Sequence, residues 1–62
     1  MKVYQVAGYP PNYYFVKNFR EFLELMDWMI ENDVDYIHRS SSQHGYGFSI
    51  KKNFSWFALR WL

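Results

Sequence analysis

The residues best equipped for covalent chemistry sit in one stretch, HRSSSQHGYG at 38–47, which holds both histidines and three serines. A nucleophile-and-base pair needs a hydroxyl held against an imidazole and a further group that orients the imidazole. Polar residues at 40–44 followed by glycines at 45 and 47 are instead ordinary turn chemistry. Nothing in the stretch supplies a strained nucleophile turn or oxyanion donors. It reads as a plain turn or, at most, a ligand-contact loop. His38 alternates with Val34 and Tyr36 and reads as a packed strand residue. The chain has no cysteine, so disulfides and thiolate metal sites are excluded, and two histidines alone make a poor metal site. No phosphate loop or cofactor motif is present. The expectation is a protein that is not an enzyme, with no catalytic, cofactor-binding or metal-binding residues.

Charge offers binding chemistry instead. The net charge is only +1, but all six acids lie between Glu21 and Asp35, and the seven bases fall before, after or at the edge of that block. The molecule should have an acidic side and a more basic remainder. So small a net charge argues against strong non-specific attraction to nucleic acid or anionic lipid. Lys51, Lys52, Arg39 and Arg60 are interleaved with Tyr46, Phe48 and Trp56. That combination can stack on and neutralise single-stranded nucleic acid, although the same aromatics are needed for the core.

Trp28 is the most suggestive single residue. At about 100° per residue, a helical core face centred near Met26 and Phe19 leaves Trp28 pointing away from it, among Arg20, Glu21, Glu24 and Glu31. Tryptophan is the residue type most enriched at binding hot spots, so Trp28 reads as a contact anchor ringed by acids, and Leu25 would widen the patch. The candidate protein-binding residues are therefore Trp28, Leu25, Glu24, Glu21 and Glu31. The competing reading is that the last segment of the chain folds over Trp28, and that the acids are a solvated helix face.

These residues need elements to position them. KVYQVAG (2–8) alternates and is rich in β-formers, so it reads as a strand. YPPN (9–12) reads as a turn, and YYFVK (13–17) as the returning strand. Asn18 resembles a helix N-cap with Glu21 three residues on. Over 19–31, Phe19, Phe22, Leu23, Met26, Met29 and Ile30 follow helical spacing. ENDVD ends the helix. VDYIHRS (34–40) and YGFSIKK (46–52) form a second hairpin about SSQHG. The order ββαββ makes residues 1–62 a single α+β domain with an antiparallel sheet.

NFSWFALRWL, at 53–62, remains to be placed. Both faces of the predicted strands carry apolar side chains: Tyr14 and Val16 on one, Tyr13 and Phe15 on the other. Such a sheet needs two covers, and one helix supplies one. The tail is expected to cover the second face, either as a short helix capped by Asn53 with Phe54, Phe57, Ala58 and Trp61 on one side, or as a fifth strand. Burial of its aromatics is worth enough that Phe54, Trp56, Phe57 and Trp61 should pack on the chain itself or on a second copy.

A 62-residue domain buries only about 60% of the surface its unfolded chain exposes, so a homodimer is expected. The N-terminal residues lack the pattern of a signal peptide, the tail is too short to span a bilayer, and the absence of cysteine fits a reducing, cytoplasmic compartment. The preferred function is a protein-binding domain, a small regulator or phage-type inhibitor that blocks a larger host or defence protein. A single-stranded nucleic-acid-binding module is the alternative.

Overall fold

The computed structural model describes residues 1–62. Its elements are β1 (Val3–Tyr4), β2 (Tyr13–Val16), α1 (Phe19–Glu31), β3 (Asp35–Ser42), β4 (Gly45–Lys52) and α2 (Phe54–Trp61). The four strands form one antiparallel sheet in the order β1-β2-β4-β3. The ββαββ order and the α+β class are those the sequence leads one to expect, with the tail as a helix. No helix is long and apolar enough to cross a membrane.

Local chemistry sets the boundaries. Asn18 is extended (φ −131°) and its side-chain oxygen accepts from the Glu21 amide at 2.9 Å, which starts α1. Asp33 ends it in the left-handed region at φ 57°. The Val34 and Asp33 amides then donate back to Met29 and Ile30 carbonyls, a C-cap geometry that glycine usually provides. Val34 and Met29, which this turn brings together, both join the core. Asn53 takes the same left-handed conformation, at φ 63°, to pass from β4 into α2 with no spare residue. Its side chain makes no cap; it donates to the Asp33 carbonyl instead and ties the two helix junctions together.

β1 is much shorter than the alternating pattern of 2–8 implies. The chain leaves the sheet after Tyr4, turns through Gly8 at φ 95°, and the Tyr9 amide donates to the Val6 carbonyl. This excursion lays the Tyr9 ring over Phe15, at 5.1 Å between centroids and nearly perpendicular. In the second hairpin, Gln43 and His44 make the turn, and Gly45, at φ 108°, supplies the left-handed step.

The tail is not where the two-cover argument puts it. α2 lies on the same sheet face as α1. Phe57, with no exposed surface, shares one core with Tyr14, Val16, Phe48 and Ile50 from the sheet and Phe22, Leu25 and Met29 from α1. Phe48 at the centre is 6.1 Å from the Phe22 ring and 5.9 Å from the Phe57 ring. One 13-residue helix is too narrow to roof four strands, so α2 roofs β2 and β4 beside it.

The opposite face closes on itself. Phe15 is also fully buried there, beneath Tyr4, Tyr9, Tyr13 and His44. Gly47 pairs with Phe15 across β2 and β4. A Cβ at Gly47 would sit 2.6 Å from Tyr13 Cε1 and 2.9 Å from Phe15 Cε2. The missing side chain is what lets these rings lie down on the sheet.

Candidate interaction surfaces

Sharing a roof with α2 rotates the buried arc of α1. The core residues are Phe22, Leu25 and Met29, with Met26 and Trp28 partly buried at either side. The stripe centred on Met26 and Phe19 is therefore displaced toward α2. Leu25, placed by helical phase in an exposed patch with Trp28, has no accessible surface and belongs to the core. Trp28 is half-buried and meets Trp61 of α2 edge-on at 5.8 Å. The tail folds against it, as the competing reading of Trp28 has it. Glu24 and Glu31 are exposed and Glu21 is half-exposed, so the candidate residues do not converge around an open Trp28.

The same rotation strands other residues outside. On the flank of α1 away from α2, Phe19 is 53% exposed, Leu23 39% and Ile30 65%. With half-buried Met26 they form a stripe at i, i+4, i+7 and i+11, one helical flank. Between this stripe and α2 runs the acidic outer face, with Glu24, Asp27 and Glu31. Burial raises the Tyr36 phenol pKa, and the charge of Asp27 raises it further. Burial alone pushes the Tyr14 phenol up.

α2 divides likewise. Phe57 and Trp61 face inward, and Phe54 stacks on Tyr14 at 6.1 Å while remaining 44% exposed. Trp56 (59% exposed), Leu59 (80%) and Leu62 (60%) point to solvent at i, i+3 and i+6. Of the four tail aromatics expected to pack, two are substantially inside. Arg60 covers the Trp61 ring at 4.2 Å, and the Trp61 indole N–H is buried without a partner.

The aromatics and bases grouped for nucleic-acid stacking are not brought together. Phe48 and Tyr46 face the helices, against Phe22, whereas Arg39 reaches Ser49 Oγ at 2.9 Å on the other side of the sheet. Trp56 and Arg60 belong to α2. The histidines are separated too: His38 lies 5.0 Å from Phe22 on the helix side and His44 5.8 Å from Phe15 on the open side. The serine hydroxyls nearby are engaged by Tyr13 (Ser40, 2.9 Å), the His44 amide (Ser42, 3.1 Å) and Arg39 (Ser49). No three His, Asp or Glu side chains converge as metal ligands would.

The fold and its surfaces thus define a small α+β domain with a one-sided, two-helix layer and a self-closed aromatic face. No protein-family model, curated protein or solved structure matches the chain. The arc that sequence reasoning missed was nevertheless present as a signal. Apolar residues of α1 cover roughly 220° of its circumference, far more than the ~100° stripe one sheet occupies.

Proposed function

We propose that this is a non-catalytic protein-binding domain that acts as a homodimer and occupies a surface of a larger protein, in the manner of a small regulator or a phage-type inhibitor of a host protein. The observation that carries the reading is the outward apolar surplus of the helical layer. Of nine exposed large hydrophobic residues, seven lie on or beside α1 and α2; six of them fall in two separate stripes, and the seventh, Phe54, stacks on Tyr14. Single exposed apolar residues are ordinary, but clustered ones mark interaction sites.

The two stripes suit different partners. The α1 stripe is spaced four, three, four. A twofold axis between residues 24 and 25 sets Phe19 against Ile30 of a second copy and Leu23 against Met26, the self-complementarity a dimer needs. At the same level Arg20 falls between Asp27 and Glu31 of that copy, opposite in charge. The bulge at Arg39 interrupts β3 and blunts that sheet edge, so helices rather than strands make this contact. The α2 stripe, Trp56, Leu59 and Leu62, is an outward apolar helix side of the kind that docks in a partner's groove. Glu24 and Glu31 beside it favour a target with a basic rim.

The test is cross-linked capture from cells using wild type and Leu59→Glu. A protein retained by wild type should be lost with Leu59→Glu while the thermal midpoint stays within a few degrees. Undiminished capture by a folded Leu59→Glu variant contradicts the assignment of α2.

A further inference from the structure

The molecule has one cleft, of about 450 Å³, lined by Lys2, Tyr4, Gln5, Lys17, Gln43 and His44. It lies at the rim of the open sheet face, away from both helical stripes. We infer that this cleft binds a phosphate-bearing ligand of about mononucleotide size, with the phosphate held between the Lys2 and Lys17 ammonium groups.

Three observations carry the inference. First, the antiparallel register of β1 and β2 pairs Val3 with Val16 and Tyr4 with Phe15. One step outward it sets Lys2 opposite Lys17. Like charges directly opposite on paired strands repel, and the lining holds no carboxylate to relieve them. All six acids lie in the block from Glu21 to Asp35.

Second, the hairpin tip is held against this lysine pair by backbone contact. A Cβ at Gly45 would lie 2.2 Å from the Val16 carbonyl oxygen and 3.2 Å from Lys17 Cα. Only glycine permits that approach at φ 108°. The Tyr4 hydroxyl donates to the His44 carbonyl and fastens the tip from the other side. Gln43 and His44 are thereby brought beside Lys17, adding amide and imidazole groups next to the two exposed lysines.

Third, size and charge agree. A phosphate monoester carries about −1.5 to −2 charges at neutral pH and three acceptor oxygens, which suits two ammoniums and neighbouring amide and imidazole donors. Pockets of about 300–1,000 Å³ are the range for small ligands, so there is room for more than the phosphate. The Tyr4 ring, backed by Phe15 at 6.0 Å and 20°, is the single apolar wall. A sugar or base has that surface to lie against.

The experiment is an amide-resolved NMR titration of the full chain with inorganic phosphate, adenosine monophosphate and a twelve-nucleotide single strand, against sodium chloride at matched ionic strength. Saturable shifts centred on Lys2, Lys17, Gln43 and His44, absent with chloride, are expected. Lys17→Gln and Lys2→Gln should each weaken the phosphate effect at least tenfold. Each should also raise the ligand-free thermal midpoint, because the repulsion is gone. Equal affinity for phosphate and mononucleotide assigns the site to phosphate itself; a tenfold preference for the mononucleotide assigns it to nucleotides. Both support the proposal. It is overturned by chloride-like, non-saturating shifts, by lysine variants that bind within twofold of wild type, or by variants that lose thermal stability. A single strand bound more than tenfold tighter than the mononucleotide also overturns it, and makes the open sheet face a nucleic-acid surface.

Discussion

The two faces of the sheet are closed by different means. On one, two helices deliver Phe22, Leu25, Met29 and Phe57 onto Tyr14, Phe48 and Ile50. On the other, no element of secondary structure is used: the 5–12 excursion carries Tyr9 back, and rings settle over Gly47. Helices are wide and apolar on more than one side, so covering a sheet with them leaves hydrophobic flanks facing water. Aromatic rings packed edge-on and tilted against one another leave little. Phe15 is as completely buried as Phe57, yet of the exposed large hydrophobics the open face carries Tyr9, with Ile37 only partly exposed on the same face. The helical face has surplus adhesive surface; the open face has nearly none.

The comparison is broken most directly by emptying each side. Phe57→Ala should cost about 3–5 kcal/mol, the scale of deleting a buried phenylalanine, which is a large share of the ~5–15 kcal/mol by which small domains are stable. Phe15→Ala should fall in the same range if the ring cluster is a second core. Chemical denaturation of both variants measures this. A Phe15→Ala cost below about 1.5 kcal/mol reduces the open face to a veneer.

A smaller effect tests how the rings are seated. Gly47→Ala introduces a methyl into space held by Tyr13 and Phe15. Tyr13 can swing its ring tip aside, but Phe15 is enclosed. The expected cost is about 1–3 kcal/mol, typical of overpacking, together with loss of the Tyr13–Ser40 hydrogen bond. A thermal melt unchanged from wild type refutes the cradle.

The α1–α2 seam sharpens the helical side. A double-mutant cycle on Trp28 and Trp61 should give a coupling of about 0.5–1.5 kcal/mol, as edge-on aromatic pairs do. Trp28→Ala should by itself lower stability. Strict additivity of the two substitutions contradicts the seam.

What was legible in the sequence follows from which interactions are local. The bounds of α1 are marked by Asn18 and the ENDVD turn, because caps act within a few residues. The strand hairpins are marked by β-formers and turn residues. The side of the sheet taken by α2 depends instead on one left-handed residue, Asn53, whose conformation no composition rule announces. The phase of α1 depended on that side in turn, which is why Leu25 moved inward and Phe19, Leu23 and Ile30 outward. The cleft depended on two residues fifteen positions apart, Lys2 and Lys17, becoming cross-strand neighbours. β1 is shorter than its alternation implies because a period of two cannot show that Tyr9 has a better use on Phe15 than Val6 has in the ladder.

The central claim is that the exposed flank of α1 is an interface between copies of the chain, and sedimentation of wild type beside Leu23→Glu/Ile30→Glu at micromolar concentration tests it most directly. Neither side chain is in the core, so the double variant should keep its cooperative melt. Wild type should sediment at twice the 7.7 kDa chain mass and the variant as the single chain. A wild-type protein that sediments only at 7.7 kDa, or a folded variant that still pairs, contradicts the claim.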